Sequence, residues 1–274
     1  MKRRTVFFVS DQTGVSAETM GHSLLTQFEG VPFRQITLPF ISTVEKALEA
    51  ARRINATAEA EEIRPIIFST LVQDELRSVL RPCNALYLDF FEAFLGSLEK
   101  ELQIPSSRAQ GRAHGMADIS SYTLRIDATN FALSADDGVV PRDYGLADVI
   151  LVGVSRSGKT PTCLYMAMQY GIFAANYPLA DEEFESGQLP SALIAHQHKL
   201  YGLTIAPRRL QQIRHERRPG SKYASPGQVE YEVRAAEALY QRYGILHIDA
   251  TECSIEEIAS RIIERTGLER KLRP

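Results

Sequence analysis

Gly153, then four residues, then Gly158-Lys159-Thr160, is a spacing suited to holding a phosphate group. In the run Gly153-Val154-Ser155-Arg156-Ser157-Gly158-Lys159-Thr160, backbone N–H groups of the loop and of a following helix would point at the anion. Lys159 adds a mobile positive charge to the cradle, and the Thr160 hydroxyl is of the kind that sits on a magnesium ion. The flanks fit this reading. Val149 to Val152 is a continuous apolar run, as expected of a parallel strand buried on both faces. Pro161 is tolerated in a helix's first turn, and Leu164, Met166, Ala167, Met168 and Tyr170 carry the helical stretch onward. An ordinary glycine-rich turn is the plainer explanation, but strand, loop and helix in this order favour a nucleotide-phosphate cradle.

Three other clusters can carry chemistry. Asp136-Asp137-Gly138 is a turn signal, and one of its carboxylates can serve phosphoryl transfer as general base or magnesium ligand. Neighbouring side chains rarely point the same way, so one of the two is expected to act, and Asp137 is put forward. Between Pro207 and Tyr223 stand Arg208, Arg209, Arg214, Arg217, Arg218 and Lys222 against Glu216 alone. Arginine forks match phosphate oxygens, so Arg217 and Arg218 are assigned to phosphate contact; the alternative is a solvated helix face. Ser10-Asp11-Gln12-Thr13-Gly14-Val15-Ser16-Ala17-Glu18 follows the first strand signal, where open α/β sheets take ligands, though a capped turn explains it too. His196 and His198 flank Gln197 without a third ligand in view, so no metal is assigned to them.

The elements that must position these residues can be read from hydrophobic period. Strand signals at Thr5–Val9, 33–40, 65–69 and 85–88 alternate with helical ones at 16–28, 43–54, 73–80 and Phe90–Leu102. Residues 104–118 hold Pro105, Ser106, Ser107, Gly111 and Gly115 with no apolar period, and read as a linker. Beyond it come helix 122–133, the P-loop strand and helix, strands at 171–177, 199–204 and 245–249, and helices at Pro207–Arg217, 228–243 and 254–265. Ser254 with Glu257 forms a capping-box signature. The fold class is therefore α/β in two domains: an N-terminal open parallel-sheet domain over 1–103, and a C-terminal P-loop kinase-like domain over 119–274.

Composition excludes several classes. A net charge of −3 over 274 residues gives no general attraction to nucleic acid or anionic membrane. The three cysteines, Cys83, Cys163 and Cys253, are scattered, which suits a reducing compartment better than a disulfide framework. The apolar stretch after Met1-Lys2-Arg3-Arg4 breaks at Ser10-Asp11, too short for a signal segment, and a cytoplasmic location is expected.

Over essentially its whole length the chain resembles the pyruvate, phosphate dikinase regulatory protein family. The likeness runs through Phe7-Phe8-Val9-Ser10-Asp11-Gln12-Thr13-Gly14, Ile36-Thr37-Leu38-Pro39-Phe40, Asp136-Asp137-Gly138 and Gly153 to Thr162. It continues in Ala174-Ala175-Asn176-Tyr177-Pro178, Gly202-Leu203-Thr204-Ile205, and Arg217-Arg218 to Tyr223-Ala224-Ser225. The resemblance implies a bifunctional serine/threonine kinase and phosphorylase. With ADP as donor, and with Mg²⁺ expected at Thr160, it would phosphorylate a threonine of a partner dikinase and inactivate it. With inorganic phosphate it would remove that group and release pyrophosphate. Gly158 resembles the branch directed at phosphoenolpyruvate synthase (pyruvate, water dikinase), which the likeness implies as protein substrate. It implies neither nucleic-acid nor membrane partners and leaves a homo-oligomer open. The family commonly has histidine before the Asp-Asp-Gly turn, where this chain has Ala135. Three alternatives stand beside this reading: the same chemistry on pyruvate, phosphate dikinase, an ATP-dependent small-molecule P-loop kinase, and a non-catalytic nucleotide sensor.

Overall fold

The computed structural model describes residues 3–109, 119–136 and 144–272. The chain divides into two compact units, Met1–Gly115 and Met116–Pro274. The first runs β1 (Arg4–Val9), α1 (Val15–Leu25), β2 (Phe33–Leu38), α2 (Val44–Glu61), β3 (Ile66–Ser69), α3 (Asp74–Leu80), β4 (Leu86–Asp89) and α4 (Phe90–Leu102). Its four parallel strands lie in the order β2-β1-β3-β4. The second runs α5 (Ile119–Ser134), β5 (Val149–Gly153), α6 (Lys159–Tyr170), β6 (Ala174–Pro178), α7 (Asp181–Ser186) and α8 (Ser191–Ile194). It continues with β7 (Leu200–Thr204), α9 (Pro207–Arg217), α10 (Pro226–Tyr243), β8 (Leu246–Asp249) and α11 (Ile255–Thr266). Its sheet is also parallel, in the order β6-β5-β7-β8. The molecule is thus α/β with two four-stranded parallel sheets.

Each sheet is covered on both faces, which is why β5 is apolar along its length and β1 from Val6 to Val9. Alternate residues of β1 point opposite ways. Phe7 and Val9 enter a core with Ala47, Ala50 and Ile54 of α2 and Leu76 and Leu80 of α3. Val6 and Phe8 enter another with Ala17 and Leu25 of α1 and Phe90 of α4. In the second unit Ile150 and Val152 pack with Val229, Val233, Ala236 and Leu239 of α10. Val149 and Leu151 pack with Cys163, Met166 and Ala167 of α6 and Ile258 and Ile262 of α11. Both units are therefore doubly wound, with each sheet's switch of strand order beside its central strand.

Differences from the sequence expectation lie at element ends and in short pieces. α2 continues to Glu61, seven residues past the expected end, because Ala58 extends the buried stripe of Ala47, Ala50 and Ile54 at helical spacing. Small alanines carry that stripe, and they mark the apolar face weakly. The strand at 33–40 stops at Leu38, and Phe40 turns the chain with φ 57°. α7 and α8, with 6 and 4 residues, were not expected, being too short to show a hydrophobic period. Among the described residues no helix is long and apolar enough to cross a membrane.

Candidate active site

β5 leaves its sheet between β6 and β7, where the strand order switches, and the phosphate-loop sequence follows at its carboxyl end. Two glycines shape the loop. A Cβ at Gly153 would lie 2.5 Å from the Leu203 carbonyl oxygen, so only glycine allows β5 and β7 to close there. The Tyr240 hydroxyl lies 3.1 Å from both the Val152 and Leu203 carbonyl oxygens and ties the two strand ends together. Gly158 enters α6 with φ 95°, a left-handed conformation, and no side chain caps the helix. Arg156 also has positive φ, 77°, a strain of order 1–3 kcal/mol for a non-glycine residue. The first bond closing on the helix start is Thr162 N–H to Gly158 O at 3.2 Å. First-turn amides ahead of it have no intrahelical acceptor and suit an anion.

Lys159 is buried at 4% exposure, and its Nζ donates to the Val154 carbonyl oxygen of the loop at 2.8 Å. Thr160 lies one residue on. Its Oγ1 donates to Asp136 Oδ1 at 2.8 Å and accepts from Asn176 Nδ2 at 3.0 Å, while the same Nδ2 also donates to Asp136 Oδ1. The Asn176 N–H donates to the Ala135 carbonyl oxygen at 3.1 Å, which holds the end of the α5 segment against β6. A hydroxyl and a carboxylate oxygen thus stand together at the start of α6. Of the adjacent carboxylates, the structure brings Asp136 to the loop; Asp137, put forward from the sequence, and Gly138 lie outside the described residues. Ser155, Arg156, Gly158, Lys159, Thr160, Pro161, Asn176 and Pro178 enclose a cavity of about 270 Å³.

The arginine cluster separates into different roles. Arg214 is fully buried, and its guanidinium supports the loop from below. Nε and Nη2 donate to the Ser155 carbonyl oxygen at 3.3 and 3.1 Å, Nη1 to Tyr223 O at 3.1 Å, and Nη2 to Glu232 Oε2 at 2.6 Å. The same group stacks 4.0 Å over the Tyr223 ring, whose hydroxyl lies 2.9 Å from Ser155 Oγ. Arg217 closes α9, Arg218 caps it, and both are exposed. A second cavity of about 300 Å³ shares Ser155 with the first and is lined also by Asp181, Lys222, Tyr223, Gln228 and Glu232. His196 packs edge-on against Tyr144, and no group of three His, Cys, Asp or Glu suited to a metal occurs among the described residues.

A model of the kinase/pyrophosphorylase family matches residues 6–263. The chain belongs to that family. Similar proteins named "Putative phosphoenolpyruvate synthase regulatory protein" occur in several bacteria. One from Halorhodospira halophila is 54% identical over 270 residues, covering 98% of both chains. One from Alcanivorax borkumensis is 52% identical over 98% of this chain and 99% of its own. One from Pseudomonas fluorescens is 52% identical over 99% and 100%. Kinase and pyrophosphorylase chemistry are what the family's name describes, and the match spans the loop from Gly153 to Thr160.

The site contains residues that the sequence reading left without a role. Asn176 interrupts the apolar run Ala174-Ala175, and a polar side chain in a buried parallel strand needs a partner, so its position was a usable signal. Glu232 sits on the buried stripe Val229, Val233 and Ala236 of α10, which likewise calls for a buried cation. Asp136→Asn should weaken nucleotide binding in the presence of Mg²⁺ and not in its absence, because it removes the carboxylate that stands with Thr160 where the ion would be held. Asp137→Asn should lower turnover more than affinity if that carboxylate takes the acceptor's proton. Calorimetric ADP titration with and without Mg²⁺, beside initial rates, checks both, and the reverse pattern would exchange the two assignments.

Proposed function

We propose that this chain is a bifunctional regulator of phosphoenolpyruvate synthase, an ADP-dependent threonine kinase and phosphate-dependent phosphorylase. The observation that carries the reading is the Thr160, Asp136 and Asn176 constellation at the start of α6, next to Lys159 and the glycine loop. The names of the relatives point to the same protein substrate.

A P-loop holding ADP leaves the β-phosphate terminal. In the forward reaction the threonine oxygen attacks the β-phosphorus, and the bond to the oxygen bridging the α-phosphorus breaks. AMP leaves with that oxygen, and the hydroxyl proton passes to a carboxylate, for which Asp137 is proposed. In reverse, an oxygen of inorganic phosphate attacks the phosphothreonine phosphorus. The bond to the threonine oxygen breaks, that oxygen is protonated, and pyrophosphate leaves. Both directions ask the protein mainly to position reactants and screen charge. Loop amides and Lys159 bind the donor phosphates, and Arg217 and Arg218 are proposed to meet the incoming phosphate. Mg²⁺ takes oxygen ligands and is commonly held by one or two protein groups plus phosphates, a requirement the Thr160 hydroxyl and Asp136 carboxylate meet. Bound there, it would neutralise charge on the phosphate oxygens.

The reverse reaction tests the reading on its less common half. Synthase phosphorylated on threonine should lose that group only when inorganic phosphate is supplied, with pyrophosphate as product. Arg217→Gln with Arg218→Gln should raise the apparent KM for phosphate by about tenfold, equivalent to ~1.4 kcal/mol. Release of inorganic phosphate in phosphate-free buffer would instead make the enzyme a hydrolytic phosphatase and remove the phosphorylase assignment.

A further inference from the structure

The first unit repeats the architecture of the P-loop with different side chains. Its central strand β1 lies between β2 and β3, as β5 lies between β6 and β7. Five residues, Ser10 to Gly14, join β1 to α1, as Val154 to Gly158 join β5 to α6. Gly14 enters α1 at φ 86° and ψ −6°, close to the 95° and 8° of Gly158, and neither helix has a side-chain cap. The first bond closing on α1 is Glu18 N–H to Gly14 O at 2.9 Å, so the amides of Val15, Ser16 and Ala17 precede any intrahelical acceptor. Glu18 itself is turned to Thr37 of β2, whose hydroxyl it accepts.

What differs is the charge. Val15 stands where the second unit has Lys159, and Asp11 stands where it has Ser155. A cavity of about 250 Å³ opens at the carboxyl ends of β1 and β3, lined by Asp11, Gln12, Gly14, Ser16, Thr70 and Arg108 among others. Asp11 is only 4% exposed, and among the described residues its Oδ2 has no hydrogen-bond partner. Burial pushes its carboxyl pKa up, opposed by the backbone N–H groups of Val72 and of Asp11 itself, which leave Oδ2 as the unpartnered oxygen. An orphaned buried acceptor is costly, so a ligand that donates to it gains more than an ordinary hydrogen bond.

The helix start calls for an anion and Asp11 calls for a donor. One chemical class meets both demands: an oxyanion that keeps an O–H at neutral pH. Its charged oxygens would accept from the α1 amides while its hydroxyl donates to Asp11 Oδ2. We infer that the first unit holds a binding site for a protonated phosphate group, built on Ser10 to Ser16 and selected by Asp11. Sulfate has the same shape and no proton to give, so it would set a bare oxygen against the carboxylate. The inference is independent of the function proposed for the second unit.

Calorimetric titration of the full chain with phosphate and with sulfate at matched ionic strength tests it, with hydrogen exchange to locate binding. Phosphate should bind at least about tenfold more tightly than sulfate and slow amide exchange in peptides covering residues 10–17. In Asp11→Asn the amide can donate to either anion, so the two affinities should come within about threefold. Glycerol phosphate decides the source: tighter binding than inorganic phosphate identifies an ester site, weaker binding a site for the free ion. Equal wild-type affinities, protection confined to residues 153–160, or an undiminished preference in Asp11→Asn would overturn the inference. If Asp11→Asn does not fold, the wild-type preference and the exchange map decide alone.

Discussion

Lys159→Ala is expected to cut threonine phosphorylation by about 30- to 1,000-fold, a loss of ~2–4 kcal/mol in the transition state. Lys159 follows the Gly158 turn directly, at the start of α6, and its Nζ is held in the loop by a 2.8 Å bond to the Val154 carbonyl oxygen. From there it can move to phosphate oxygens without leaving the cradle. Among the side chains of the loop segment it brings a charge buried at 4% exposure. Alanine is a good helix former, so α6 should persist and thermal unfolding should change little. Rates measured at saturating ADP and synthase check the claim. A variant within threefold of wild type would take the donor phosphates away from this loop.

Arg214→Ala should lower stability by about 3–5 kcal/mol, the usual cost of stranding one partner of a buried ion pair. The partner is Glu232, whose Oε2 lies 2.6 Å from the guanidinium and whose Oε1 accepts from Gln228 at 3.0 Å. The change also frees the Ser155 carbonyl oxygen, so ADP affinity should fall along with stability. Replacing both partners with apolar residues should cost less stability than the single change, because no charge is stranded. It should leave the ADP defect in place. Denaturant titration of the full-length variants measures both costs. A single variant within about 1 kcal/mol of wild type would show that Arg214 is not holding the loop.

The parallel sheets and the glycine-shaped turn from β5 into α6 were legible because each rests on local pattern. Val149 to Val152 is apolar without interruption, and the glycines of the loop are required by backbone geometry at fixed offsets. Arg214 was not legible. In the sequence it is one of five arginines between Pro207 and Tyr223, and nothing there separates the fully buried one from the exposed Arg217 and Arg218. The separation is made by α10, which brings Glu232 across a gap of 18 residues. The Asp136 contact with Thr160 spans 24 residues and depends on where α5 ends against β6. Such choices are tertiary, and an adjacent pair of aspartates offers no periodicity to decide them.

The fate of the nucleotide separates an ADP-dependent kinase from an ordinary one. Purified chain would be mixed with phosphoenolpyruvate synthase and either ADP labelled on its β-phosphate or ATP labelled on its γ-phosphate, each freed of interconverting kinases. A loop of this sequence would grip either nucleotide by similar contacts, so under the proposed chemistry donor choice must come from the acceptor hydroxyl standing where a γ-phosphate would lie. The account predicts labelled phosphothreonine on the synthase from ADP, with one AMP formed per threonine modified. Label arriving only from ATP, with ADP as the product, would contradict it.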